Sequence, residues 1–150
     1  MKPPILIDVA LMINAKGQID PVLLPALAKL NQADRPLVLI AERPDGWKPT
    51  RSRVDLALQQ QQDLEATINR GGGMLDAVLY LEFSLFTRKR HRMAALTDLA
   101  DRYDRPLDQI HAIVPEQSRM TELLQDTDVQ VYPIQGQHEL QDRISTILSG

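Results

Sequence analysis

Pro4-Ile-Leu-Ile-Asp-Val-Ala-Leu-Met-Ile13 is an apolar run interrupted once, at Asp8. Its β-branched content and its lack of a helical period suit a buried strand, with Asp8 near the strand's end. A carboxylate in that position either caps the following turn or is a functional group delivered to the rim of a sheet. The choice between the two depends on what the rest of the chain builds around it.

Working outward, residues 21–31 read as a helix, with Asp20 as N-cap and Pro21 at the first helical position. Pro36-Leu-Val-Leu-Ile-Ala41 is a second buried strand, ending in the polar turn Glu42-Arg43-Pro44-Asp45-Gly46-Trp47. Leu, Gln, Ala and Glu dominate residues 51–69 and favour a long helix, which Gly71-Gly72-Gly73 stops. Asp76–Leu81 is predicted as the third strand, about Arg90–Tyr103 as a charged helix and Gln109–Val114 as the fourth strand. A short helix over 117–125, a strand over Val129–Pro133 and a helix over Glu139–Leu148 complete the chain, the last with apolar residues at 140, 144, 147 and 148.

Such alternation predicts one α/β domain over residues 1–150, a three-layer Rossmann-like fold. Its sheet has about five parallel strands, helices on both faces and right-handed crossovers. Ligand sites in these sheets lie at the carboxyl ends of the strands. Asp8, the turn after Ala41, the loop around Lys89 and the turn around Glu116 should therefore converge.

Composition narrows the chemistry. The 150 residues hold 43% hydrophobic side chains, enough for one sizeable core and too few residues for two ordinary domains. Seventeen Lys and Arg against 20 Asp and Glu leave a formal charge of −3, so no global field invites nucleic acid or an anionic membrane. Without cysteine there is no disulfide, no Cys-ligated zinc and no thiol nucleophile. The opening Met1-Lys2-Pro3-Pro4 precedes an apolar run too short for a signal-peptide core or a span, so the expected location is cytoplasmic, with no membrane partner.

The order of elements and certain residues within them resemble the haloacid-dehalogenase-like (HAD) phosphatases, specifically the heptose-bisphosphate and histidinol-phosphate phosphatase branch. Ile5-Leu-Ile-Asp-Val-Ala-Leu-Met-Ile-Asn14 is similar to the first family motif, hydrophobic residues followed by Asp-x-Asp-Gly-x-(Ile/Leu)-Asn. Asp8 matches the nucleophile and Asn14 fits the branch, while Ala10 stands where the second Asp belongs and Leu11 replaces the Gly. Arg35–Arg43 resembles the second motif, except that Ile40 and Ala41 leave no hydroxyl. Thr87-Arg88-Lys89 resembles the lysine segment, and Ile113-Val-Pro-Glu-Gln-Ser-Arg-Met120 occupies the place of Val-Gly-Asp-x-x-x-Asp. Glu116 then falls on the first acid and Met120 on the second. The likeness spans roughly residues 4–136.

The resemblance implies Asp8 at the nucleophile position and Lys89 as the phosphate clamp. It puts Asn14, Ala41, Glu42 and Arg88 at binding positions, and admits Mg²⁺ held by Asp8, the Ala10 backbone carbonyl and Glu116. It equally implies a damaged reaction. Alanine at position 10 cannot act as general acid, a role that typically contributes about a hundred- to ten-thousand-fold. Ala41 removes a phosphate hydrogen bond, and Pro115 in place of Gly deletes a backbone donor. Phosphonatases of the family also carry Asp-x-Ala, but they need an inserted cap lysine, and only about twenty residues separate Asn14 from the second strand, too few for a large cap. The branch's structural zinc loop is replaced by Glu82-Phe-Ser-Leu-Phe-Thr87, so no zinc is expected.

Two readings follow. One is a degenerate HAD phosphatase-like protein, a pseudoenzyme with little or no hydrolase activity, which binds a small phosphorylated ligand, a protein partner or a second copy of itself. The other is an active Mg²⁺-dependent phosphatase of small phosphate esters using Asp8. Recognition of nucleic-acid ends through residues 88–92 rests on fold analogy and is not expected. Structural roles stand beside these. Lys89 belongs to a charge run that suits a solvated helix start, Glu116 suits the acid at a helix N-terminus, and Trp47 suits simple packing. His91, His111 and His138 lack metal-ligand spacing. Leu79 and Leu81 read as core, whereas Phe83, Leu85 and Phe86 fit either core or a partner patch.

Overall fold

β1 (Ile5–Asp8) lies between two parallel neighbours and is covered on both faces, so all four of its residues are buried. That double burial is why apolar residues occur at consecutive positions instead of alternating with polar ones. The computed structural model describes residues 2–43, 51–83 and 89–150, with 43 and 51–57 described by backbone alone. Trp47, Leu85, Phe86 and Arg88, all singled out from the sequence, lie outside the described residues.

The remaining strands are β2 (Leu37–Arg43), β3 (Leu75–Glu82), β4 (His111–Pro115) and β5 (Gln130–Ile134). All pair in parallel, as the α/β alternation predicts, and their order is β3-β2-β1-β4-β5. The helices are α1 (Leu24–Gln32), α2 (Arg51–Arg70), α3 (Lys89–Arg102), α4 (Arg119–Gln125) and α5 (Gln137–Ser149).

Side-chain alternation along β1 sorts the core into two layers. Ile5 and Ile7 pack with Leu27 and Leu30 of α1, Ile68 of α2 and Ile144 of α5. Leu6 faces the other way, into Leu96 and Leu99 of α3 and Leu124 of α4. Helices therefore cover both faces, giving the three-layer Rossmann-like architecture. Among the described residues, no helix is long and apolar enough to cross a membrane.

Three boundaries differ from the sequence reading in ways that matter at the site. β1 stops at Asp8 because its Oδ1 accepts the Ala10 N–H at 3.0 Å, and the chain turns into a 3₁₀ segment over Val9–Leu11. β2 continues through Glu42 and Arg43, where a turn was expected, because β3 pairs with it as far as Glu82. α4 begins at Arg119 instead of 117, with Ser118 as its N-cap, so Glu116 lies before the helix and is not an acid of its first turn. Asp20 caps the segment at Pro21 as read, accepting from Val22 N at 3.0 Å.

Candidate functional site

The chain lays down β1, β2 and β3 in one direction and then places β4 on the opposite side of β1. In open parallel sheets such a reversal opens a crevice at the carboxyl ends of the two central strands. Asp8 ends β1, and the loop Glu116–Ser118 follows β4, so these residues flank that crevice.

Asp8 is only 6% exposed. Burial raises its carboxyl above the usual carboxylate range and the nearby Glu42 adds repulsion, opposed by the Ala10 N–H that stabilises the charged form. Glu42 comes from the extension of β2, two residues beyond Ile40, the register partner of Asp8. The even positions Leu6, Val38 and Ile40 face the α3/α4 layer, and period-two alternation carries Asp8 and Glu42 to the same side.

Glu42 is in turn engaged by a cation that the sequence reading missed. Arg119 Nη2 sits 2.9 Å from Glu42 Oε2, an ion pair reaching from the helix after β4 to the end of β2. The Arg119 guanidinium also lies over the Phe83 ring at 5.3 Å and donates to the Phe83 carbonyl at 3.4 Å. Arg92 of α3 lies over the same ring at 4.9 Å and donates to the Glu82 carbonyl at 3.1 Å. Phe83, left open between core and partner patch, thus packs partly against the α3/α4 core and carries two guanidinium groups.

Arg119 is held at its base as well as at its tip. Ser118 Oγ accepts the Thr121 N–H at 3.0 Å, and buried Thr121 donates its hydroxyl to the Pro115 carbonyl at 2.6 Å. This brace fixes the turn after β4 despite the proline. The Ser-x-x-Thr spacing of 118 and 121 was a readable capping signal. Arg119 itself had none, since nothing in a single sequence says which surface arginine crosses to a neighbouring strand.

The other sequence candidates are placed as follows. Lys89 opens α3, and its Nζ is 2.8 Å from Asp126 at the C-terminal end of α4, with both side chains more than half exposed. α4 is seven residues long, so Asp126 lies about 10 Å back from the crevice. An exposed pair of this kind is worth about 0.2–1 kcal/mol, so it holds Lys89 only weakly. Asn14 Oδ1 accepts from Lys16 N at 2.9 Å and Gln18 N at 3.1 Å, which commits it to building a turn. Ala41 is buried and apolar, and Ala10 is exposed. Glu116 is exposed, with its backbone N–H on the Ile134 carbonyl at 3.0 Å.

The donors at the crevice are carboxylates and backbone carbonyls, which suit Mg²⁺ in kind. Their charge is already balanced in part, because Glu42 is paired with Arg119. Among the described residues no three histidine or carboxylate side chains gather as a metal site, and the Asp8, Ala10 and Glu116 set contributes only two.

No protein-family model matches the sequence, and no curated protein matches it either. Solved structures do. A D,D-heptose 1,7-bisphosphate phosphatase from B. bronchiseptica, complexed with magnesium and phosphate, superposes with a TM-score of 0.69 at 19% identity, covering 95% of this chain and 86% of that one. The corresponding enzyme from Burkholderia thailandensis gives 0.65 at 13% identity over 99% and 100%. A Mesorhizobium loti protein described as a HAD-like phosphatase gives 0.68 at 14% over 99% and 87%. The fold is that of the HAD-like phosphatases.

Proposed function

We propose that this chain, built on the fold of the HAD-like phosphatases, is a degenerate member that binds a small phosphorylated ligand at the crevice around Asp8 and has little or no phosphatase activity. The observation that carries this reading is Ala10. It is exposed two residues beyond Asp8, at the position where the resemblance expects a carboxylic acid, and it can neither give nor take a proton. Further support comes from apolar Ala41, which offers no hydroxyl.

Guanidinium groups suit phosphate oxygens geometrically, and Arg119, paired with Glu42, is the one that reaches the end of β2. Mg²⁺, where bound, would neutralise developing charge on phosphoryl oxygens, with Asp8, the Ala10 carbonyl and Glu116 as its holders. Under this reading Asp8 positions a ligand and does not form a lasting phosphoryl adduct. Glu42 is proposed as part of the lining, the resemblance alone proposes binding roles for Asn14, Ala41 and Arg88, and a cytoplasmic location is proposed with them. A protein partner or a second copy of the chain is the alternative occupant.

The test is release of phosphate from a panel of small phosphate esters with Mg²⁺ present, run on wild type and Asp8→Asn. Rates indistinguishable between the two proteins are expected. Turnover abolished by Asp8→Asn would establish the active phosphatase instead, with Lys89 leaving Asp126 to act as clamp.

A further inference from the structure

The sequence candidates for metal chemistry are all carboxylates or carbonyls, yet Glu42, one of the acids at the crevice, is already paired with a cation. We propose that Arg119 is a tethered counter-cation that weakens divalent-metal binding at the crevice, by neutralising Glu42 from within the chain. The proposal deepens the reading of the Asp8 crevice as a ligand site and rests on it.

Asp8 ends β1 opposite Ile40, and Glu42 lies two residues further along β2 on the same face of the sheet, so two like charges share one edge. Such a pair is ordinarily relieved by a hard cation with oxygen ligands. Here the relief comes from Arg119 at 2.9 Å from Glu42 Oε2. Half-exposed arginines are usually mobile, and their pairs count for little. Arg119 differs in having its base fixed by the Ser118 cap and the Thr121 brace, while its tip meets the Glu42 carboxylate, the Phe83 ring and the Phe83 carbonyl.

A divalent ion approaching Asp8 and Glu42 therefore meets a positive charge already in place. It must either displace the guanidinium or accept its repulsion, and both weaken its binding. Arg92 lies over the same Phe83 ring at 4.9 Å, a second guanidinium beside Arg119.

Direct binding of Mn²⁺, followed by electron paramagnetic resonance titration of the full chain, tests this without reference to activity. Wild type is expected to bind weakly, and Arg119→Gln to bind about tenfold more tightly because one unit of opposing charge is gone. The gain should disappear in Arg119→Gln/Glu42→Gln, where the released carboxylate is removed, and should not appear in Arg119→Lys, which keeps the charge. Arg119 is half exposed, so these variants should fold, and a circular-dichroism melt checks that they do. Equal affinity in wild type and Arg119→Gln overturns the proposal, as does equal tightening by Arg119→Lys. The outcome is independent of whether phosphate is released, since an active phosphatase would appear as Asp8-dependent turnover whatever Arg119 does to the metal.

Discussion

Asp8 shows at the scale of one residue how structural and functional roles can share an atom. Its Oδ1 ends a strand by accepting the Ala10 N–H, and the same carboxyl is buried beside Glu42 at the crevice. Burial first, and then Glu42, raise its pKa from the ordinary 3.8, so the folded chain holds this proton more tightly than the unfolded one. The stabilising contribution is then complete below pH 3.8 and is lost as pH climbs through the raised value. Asp8→Asn keeps an acceptor for Ala10 and discards the charge. In metal-free buffer its stability relative to wild type is expected to rise from about pH 4 towards neutrality and then level off, which urea melts across that range would reveal. A difference that does not change with pH would mean the carboxyl is not desolvated as described. The Asp8 position was legible because a lone acid in an apolar strand has few reasons to be there. Arg119 was not, because its role depends on strands brought together only by the fold.

At the scale of elements, the turn between β4 and α4 decides whether Arg119 has a fixed base. Ser118 caps a helix of only seven residues, and such a short helix has little stability of its own without caps and packing. Ser118→Ala is expected to cost about 1 kcal/mol, read as a lowered urea midpoint with unchanged slope. A loss near zero would show that Thr121 alone holds the turn. Boundaries were the less legible part here for a physical reason. The periodicity of 117–125 locates a helix but not its first residue, which Ser118 sets by bonding Thr121 N. Likewise β2 outruns its apolar stretch because pairing with β3, a long-range effect, satisfies the backbone of Glu42 and Arg43.

For the whole molecule, strand order is what makes a crevice out of loops far apart in sequence. The parallel five-stranded sheet could be read from five apolar runs separated by helical segments, since consecutive apolar residues such as Ile5, Leu6 and Ile7 demand cover on both faces. The order β3-β2-β1-β4-β5 was not legible, because the runs themselves fix no neighbours. What the fold then presents at this edge is an acid ending β1, a turn after β4, and alanines at positions 10 and 41, where the resemblance expects an acid and a hydroxyl. The central claim, that the edge keeps its shape without the chemistry, is tested most directly by ¹⁹F NMR of the chain with Mg²⁺ and beryllium fluoride, a mimic of phosphoryl-aspartate. The result expected is no bound fluoride resonance that depends on Asp8. Slowly exchanging bound resonances, present in wild type and missing in Asp8→Asn, would contradict the account.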